Sequence, residues 1–167
     1  MTTASVLALA LLLDALAGEP RWLWSRLPHP AVVLGRAVAS LDHRLNAGSF
    51  RRAKGVAAIA ALVASAALSG LVLSLAGWAM ELVVAAILLA QRSLADHVSD
   101  VARALRLSVA AGRVSVSRIV GRDTAQMDEP AIVRGARESG AENLSDAVAA
   151  PVLWLLILGL PGLLAYR

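Results

Sequence analysis

Long uncharged stretches alternate along this chain with segments in which charged side chains recur. Residues 55–80 contain no charged side chain, and this stretch is longer than the roughly 20 apolar residues that a helix needs to cross a bilayer. Residues 147–166 form a second uncharged stretch, in which Pro151 and Pro161 would bend or bound a helix. The pattern therefore predicts membrane-spanning helices.

The first apolar stretch, residues 4–18, is interrupted by Asp14. One interpretation is a cleaved signal peptide, because Ala15-Leu16-Ala17 resembles a small-residue cleavage site. However, no Lys or Arg precedes the apolar run, and an acidic residue lies just before the proposed cut. A retained first helix is therefore favoured.

The remaining candidate, residues 78–96, has Glu81 and Arg92 near its ends. Together with residues 55–77, this segment would form a hairpin that crosses the membrane, turns near Gly77 and returns. The predicted spans are residues 4–18, 55–77, 78–96 and 147–166.

The segments between these spans have the period of amphipathic helices. Beyond residue 92, apolar residues recur at helical spacing, namely Leu94, Val98, Val101 and Leu105. Further on, Asp128 is a predicted N-cap, with Pro130 in the first turn of the helix that follows. The predicted fold class is all-α, a multi-pass integral membrane protein with amphipathic helices outside the spans.

Positive charges predict how the spans are oriented. Residues 19–54 hold seven Lys and Arg and residues 91–146 hold eight Arg, whereas the connection near Gly77 holds none. Because Lys and Arg are enriched in cytoplasmic loops, the segments 19–54 and 97–146 are expected to face the cytoplasm. The predicted location is the cytoplasmic membrane, with the functional loops inside the cell.

Composition excludes several classes of protein. Of the 167 residues, 58% are hydrophobic, 17% are charged and none is Cys. A disulfide scaffold, a thiolate metal site and a cysteine nucleophile are therefore excluded. The formal net charge is +4, but the arginines are scattered between apolar runs, so the expected partner is a lipid bilayer and not a nucleic acid.

Two polar segments carry candidate chemistry. Gly121 allows a ligand to approach the backbone, and Arg122 beside it can bind a phosphate or carboxylate through two hydrogen bonds; an ordinary turn with an Arg–Asp pair is the alternative. Further on, Glu138, Glu142 and Asp146 are four residues apart and would share one helix face. Acidic groups at a membrane boundary are costly unless they are solvated, paired or bound to a cation such as Mg²⁺. A magnesium site is therefore one interpretation of these three residues, and a solvated helix face is the other.

Two further polar side chains have candidate roles. Asn143 can cap a helix or form a hydrogen bond with a substrate amide. His29 lies between Pro28 and Pro30, which fix the backbone and can present the imidazole, although a structural loop histidine is the alternative.

Five groups of residues, in this order and spacing, resemble the CobD/CbiB family of cobalamin biosynthesis, the adenosylcobinamide-phosphate synthases. They are Asp14…Gly18-Glu19-Pro20, His29-Pro30…Gly35, Arg92-Ser93-Leu94, Val120-Gly121-Arg122-Asp123-Thr124, and Glu138-Ser139…Ala141-Glu142-Asn143…Asp146…Ala150-Pro151. The resemblance covers essentially the whole chain, with mild departures at Gly140 and Ala147. Because members of the family are roughly twice as long, the chain is expected to be the N-terminal part of such a protein.

The resemblance implies an ATP-dependent amide-forming ligase. It would attach aminopropanol, or its phosphate, to the f propionate carboxyl group of adenosylcobyric acid, with Mg²⁺ and ATP required. The implied partners are the corrinoid substrate, the amine and other enzymes of the pathway. As a hypothesis, the catalytic residues are Asp123 and Glu138, the substrate-binding residues are Arg122, Thr124, Asn143 and His29, and the metal ligands are Glu142 and Asp146.

Two alternatives remain open. One is a membrane transport or scaffold subunit, in which Asp14 and Glu81 would serve an ion or substrate path. The other is an inactive truncated remnant that folds but lacks activity.

Overall fold

The computed structural model of the protein describes residues 1–18, 25, 26, 28 and 30–167. All regular elements in these ranges are helical, which confirms the predicted all-α class. They are α1 (Thr3–Ala17), α2 (Pro30–Leu45), α3 (Arg51–Ser74), α4 (Trp78–Leu88), α5 (Gln91–Leu107), α6 (Val109–Val116), α7 (Glu129–Leu144), a π-helix (Ser145–Ala149) and α8 (Ala150–Tyr166).

The predicted membrane character is confirmed by the length and composition of the helices. Three helical stretches of the described residues are long and apolar enough to cross a bilayer, namely Arg51–Ser74, Trp78–Leu107 and Glu129–Tyr166, and α1 is a shorter apolar helix. Helix α3 alone is about 36 Å long at 1.5 Å per residue, which exceeds the hydrocarbon thickness of about 30 Å.

Helices α1, α3, α4 and α8 pack together into the apolar core of the membrane part. Its buried residues are all Leu or Ala: Leu7, Ala10, Ala85, Ala86, Leu88, Leu89, Leu155, Leu160 and Leu163. The backbones of α3 and α8 approach closely, since a Cβ on Gly70 would lie 2.6 Å from Cα of Pro161. Such contacts are typical of membrane helices, whose association depends on packing because lipid is as apolar as Leu.

Helices α5, α6 and α7 form a second packed unit with its own apolar centre. Its buried residues are Val101, Val116, Ile132 and Ala136, with Leu105 packed against them. The amphipathic pattern predicted the inward positions of Val101 and Leu105 correctly. The predicted N-cap is also confirmed, since the Asp128 carboxylate accepts the backbone N–H of Ala131 at 2.9 Å.

The helix of the predicted span 78–96 is interrupted at Leu89 and Ala90, where the backbone leaves the helical conformation. Helix α5 starts immediately after this break, so its first N–H groups have no carbonyl partner within the helix. Ala90 has no side chain that could cap them. The break therefore needs an acceptor from another part of the chain.

Asp14 of α1 supplies that acceptor. One carboxylate oxygen, Oδ2, accepts the backbone N–H groups of Gln91 at 3.0 Å and Arg92 at 3.2 Å, and only 4% of the residue is exposed. In return, the guanidinium of Arg92 donates to the carbonyl of Ala15 at 2.8 Å, and the side-chain amide of Gln91 donates to the carbonyl of Leu11. The C-terminus of α1 and the N-terminus of α5 therefore cap each other.

Helix α8 reverses direction at Gly159, whose φ of 65° and ψ of −155° are not helical. The rings of Trp154 and Tyr166 stack with centroids 6.5 Å apart, although twelve residues of straight helix would separate the Cα atoms by about 18 Å. A Cβ on Gly162 would lie 2.7 Å from the carbonyl oxygen of Trp154, which also requires the chain to fold back. The predicted span 147–166 is therefore a helical hairpin whose tip packs on α3.

We expect Asp14→Ala to weaken the junction between α1 and α5, because the carboxylate that accepts two N–H groups is lost. A buried donor left unsatisfied costs about 1–3 kcal/mol. Thermal unfolding in detergent should shift to lower temperature, and amide exchange at Gln91 and Arg92 should accelerate. Asp14→Asn keeps an acceptor oxygen and should recover part of the loss, while Asp42→Ala on the exposed face of α2 serves as control. Unchanged exchange in Asp14→Ala would contradict the capping role.

Gly70→Ala should disrupt the packing of α3 on α8, because the new methyl group would meet backbone atoms of Leu160 and Pro161 that cannot rotate away. Overpacking of this kind typically costs about 1–3 kcal/mol. Gly55→Ala in the same helix is the matched control, since nothing lies within 4 Å of its Cβ position. Equal unfolding temperatures for the two variants would refute the close contact.

The hairpin in α8 can be tested by cross-linking, since the chain has no Cys. A Trp154→Cys/Tyr166→Cys variant should react with a bifunctional thiol reagent that spans about 8 Å, because the two side chains are adjacent in the hairpin. Ala57→Cys/Ser69→Cys, with the same separation along α3, should not react, since a continuous helix holds these positions about 18 Å apart. Cross-linking is read as a shift in the masses of the proteolytic peptides. Equal yields from the two pairs would refute the reversal.

Candidate functional site

The candidate site is built on the loop of residues 117–128, which connects α6 to α7. Arg113 at the end of α6 closes this loop. Its Nε donates to the carbonyl of Met127 at 2.7 Å, and its own carbonyl accepts the hydroxyl of Thr124 at 3.2 Å. Thr124 is buried by this contact. The loop therefore has a defined shape, with Arg122 and Asp123 on its exposed side.

The loop lies against α7 because Gly135 leaves room for it. A Cβ at Gly135 would be 3.2 Å from Nη2 of Arg122 and 3.6 Å from a methyl group of Val120. Asp123 forms a local turn, since its carboxylate accepts the backbone N–H of Ala125 at 2.9 Å. This hydrogen bond fixes the Asp123 side chain within its own loop.

Arg122 forms a salt bridge with Glu138 of α7, with Nη2 and Oε2 2.7 Å apart. The structure thus joins two residues that the sequence placed in separate motifs, and the partner of Arg122 is Glu138, not the adjacent Asp123. The side chains are 54% and 58% exposed, so the pair contributes at most about 1 kcal/mol to stability. Both charged groups can therefore exchange this contact for a ligand at little cost.

Ser139 and Asn143 connect the loop to the next turns of α7. The Ser139 hydroxyl donates to the carbonyl of Ile119 at 2.5 Å, and the residue is buried. The Asn143 amide nitrogen donates to the carbonyl of Ser139 at 2.8 Å and to its hydroxyl at 3.2 Å. Within the described residues, the Asn143 amide oxygen accepts no hydrogen bond, so it is available to a substrate donor.

Glu142 and Asp146 are exposed near the start of the apolar hairpin. The helix changes to π geometry at Ser145–Ala149, which begins between Glu142 and Asp146. These two carboxylates therefore do not follow the single straight face that the four-residue spacing predicted. Single turns of π-helix are rare in proteins, and many of those that occur lie at functional sites. Among the described residues, no group of three or more His, Asp or Glu side chains is placed to hold a metal ion.

An open groove of about 810 Å³ follows the exposed face of α7 beside Glu138. Its lining combines charged and apolar side chains, namely Glu129, Pro130, Val133, Arg134, Arg137, Glu138 and Ala141. The two glutamates and two arginines balance each other's charge, so the lining offers both hydrogen-bond donors and acceptors beside apolar surface.

The structure gathers most of the predicted site residues along one loop and one helix. Arg122 and Glu138 are in direct contact, and Asn143 lies just beyond them on α7, whereas His29 lies outside the described residues. Sequence reasoning missed the roles of Arg113 and Ser139. Arg113 belongs to none of the motifs named from the sequence, and no periodicity could indicate that Ser139 donates to a carbonyl twenty residues earlier.

Comparison with known proteins identifies relatives along almost the whole chain. The family model described as CobD/Cbib protein matches residues 7–167. A protein of Rhizobium meliloti (strain 1021) is 51% identical over 97% of this chain and 53% of its own length. Relatives from a Sinorhizobium species and from Rhodobacter capsulatus are 48% and 37% identical, over 99% and 100% of this chain. All three are named cobalamin biosynthesis protein CobD.

The chain spans about half the length of these curated relatives, which it covers to between 53% and 56%. No solved structure matches it. The order of the polar motifs, the helical membrane architecture and the family match agree along the chain. The chain therefore belongs to the CobD/Cbib protein family of cobalamin biosynthesis.

Proposed function

We propose that this protein takes part in forming the amide bond that joins aminopropanol, or its phosphate, to the f propionate carboxyl group of adenosylcobyric acid. The observation that carries the proposal is the family match over residues 7–167, with relatives named for cobalamin biosynthesis. The exposed Arg122–Glu138 pair beside the groove on α7 supports it, because this arrangement supplies both a phosphate-binding cation and a proton acceptor.

The reaction requires an activated carboxyl group, since a carboxylate is a poor electrophile. Transfer of the terminal phosphoryl group of ATP to a carboxylate oxygen would give an acyl phosphate and ADP. The amine nitrogen then attacks the acyl carbon, phosphate leaves, and the nitrogen loses a proton. Both steps place negative charge on phosphate oxygens, so the site needs fixed cations and hydrogen-bond donors near them.

Arg122 and Glu138 are suited to these needs together. A guanidinium binds phosphate through two hydrogen bonds, and when Arg122 does so the Glu138 carboxylate is released to accept the proton of the amine. Asp123 is assigned to orienting the amine, because one of its oxygens is already held by the N–H of Ala125. Thr124 would contact phosphate only by exchanging its bond to the carbonyl of Arg113, so its first role is to hold the loop.

The acidic pair at the start of the apolar hairpin is proposed to bind a magnesium ion. Within the described residues, the carboxylates of Glu142 and Asp146 accept no hydrogen bond, and Mg²⁺ usually takes one or two carboxylates together with phosphate oxygens and water. These two residues would hold the ion, which when bound neutralises charge on the phosphates of ATP. Asn143 and His29 are proposed to bind the substrates, Asn143 through its free amide oxygen.

We further propose that the site faces the cytoplasm at the cell membrane, where ATP and soluble enzymes of the pathway are available. The excess of arginine in residues 91–146 supports this orientation. The transport alternative has less support, because both acids it invokes have structural roles. Asp14 caps α5, and Glu81 lies in the first turn of α4, where a carboxylate is favoured by the helix dipole.

Charge exchange between Arg122 and Glu138 tests the proposed roles. In a strain whose chromosomal gene is edited, we expect Arg122→Glu and Glu138→Arg each to lower the synthase activity of membranes about 100-fold or more. The double exchange should restore the salt bridge but not the activity, because a glutamate at position 122 cannot bind phosphate. Activity is measured as conversion of adenosylcobyric acid to adenosylcobinamide or its phosphate.

The matched control is the exchange of Asp100 and Arg103, another exposed pair, whose two residues both lie on α5. It should leave activity unchanged. Recovery of wild-type activity in the double exchange of Arg122 and Glu138 would show that the pair is only structural. Full activity in both single variants would refute the assignment altogether.

A further inference from the structure

The connection between α2 and α3 concentrates positive charge where the uncharged stretch of α3 begins. Four cations occur within residues 43–54, and this segment contains no Asp or Glu: they are Arg44, Arg51, Arg52 and Lys54. Salt bridges between described residues occur elsewhere, on α5 and at the candidate site, and none involves these four. Asp42, the acidic residue nearest to this segment in the sequence, accepts a hydrogen bond from the side-chain amide of Asn46 at 3.1 Å.

Three of these cations, Arg51, Arg52 and Lys54, lie in the first turn of α3, and the connection folds over that turn. Lys54 Nζ donates to the carbonyl of Ala47 at 3.1 Å, and Arg51 Nε donates to the carbonyl of Gly48 at 3.3 Å. These bonds draw the connection over the first turn of the helix. They occupy only one nitrogen of Arg51, and Arg52 forms no hydrogen bond with any described residue, so donors remain for an anion.

The start of α3 adds two features that suit a membrane surface. Phe50, the residue before the helix, has a left-handed backbone with φ of 62° and gives no side-chain cap, so the first N–H groups present the positive end of the helix dipole. Its ring is 79% exposed immediately before a helix long enough to span the bilayer. An exposed apolar ring next to a span can be buried at the boundary between the headgroups and the acyl chains.

We propose that this cationic connection, residues 44–54, binds the phosphate of anionic phospholipids in the adjoining leaflet. Basic segments directly beside a span attract anionic headgroups, and arginine forms paired hydrogen bonds with phosphate. A lipid fits better than a soluble phosphate, because the cations lie at the end of a membrane helix and beside an exposed aromatic ring. The assignment does not depend on the proposed amide synthesis.

A single fluorescent label can report this contact, since the chain contains no Cys. The full protein carrying Ser49→Cys as its only cysteine is labelled in neutral detergent. It is titrated either with phosphatidylglycerol or with phosphatidylcholine, each with acyl chains brominated near the carbonyl. Bromine quenches the label only at short range, so half-quenching at a lower lipid fraction means preferential binding. The protein should prefer phosphatidylglycerol, and the preference should weaken as salt is raised.

Variants separate a specific site from overall charge. Each juxtamembrane cation is worth about fivefold in affinity for anionic lipid, so Arg51→Gln/Arg52→Gln should reduce the preference roughly 20- to 30-fold. Arg106→Gln/Arg118→Gln removes the same charge from exposed positions on the α5–α7 unit and should leave the preference unchanged. Arg51→Lys/Arg52→Lys keeps the charge and should retain most of the preference for phosphatidylglycerol. This result would also exclude misfolding as the cause of the loss in Arg51→Gln/Arg52→Gln.

Three outcomes would overturn the proposal. The first is equal quenching by the two lipids in the unaltered protein. The second is an unchanged preference in Arg51→Gln/Arg52→Gln. The third is loss of the preference on adding ATP or inorganic phosphate at fixed ionic strength, which would assign the site to a soluble anion.

Discussion

The fold depends on the mutual capping of α1 and α5 around Asp14. A buried carboxylate beside an apolar core is costly unless donors surround it, and here the N–H groups at the start of α5 supply them. Those N–H groups in turn need an acceptor, because the chain leaves helical geometry at Leu89 and Ala90. One contact therefore satisfies the acid and permits the break, and the break marks the boundary between the apolar core and the α5–α7 unit.

This boundary positions the candidate site. The loop of residues 117–128 belongs to the unit held by α5, and Arg113 and Ser139 fix its shape through hydrogen bonds to backbone carbonyls. Glu142 and Asp146 follow on the same helix just before the apolar hairpin of α8. The polar groups therefore follow one another along this loop and one helix up to the start of the apolar hairpin.

The two basic segments differ in their electrostatics. In residues 43–54 the cations have no carboxylate among them, so their field is directed outward and matches an anionic surface. In the α5–α7 unit, Arg103 and Arg122 pair with exposed carboxylates, so the local field is balanced and can be rearranged when a ligand replaces one partner. The first arrangement supports the proposed contact with a lipid leaflet, and the second supports the proposed phosphate chemistry.

The sequence by itself determined the all-α membrane class, the apolar stretches, the N-cap at Asp128 and the family, because hydropathy, local capping and short motifs are properties of neighbouring residues. It also named Arg122 and Glu138 separately. Only the tertiary structure decided that Asp14 caps α5 and that Arg122 pairs with Glu138, since these contacts join residues 77 and 16 positions apart. The reversal at Gly159 could not be predicted from hydropathy either, because an uncharged stretch has the same hydropathy whether it crosses the bilayer or folds back on itself.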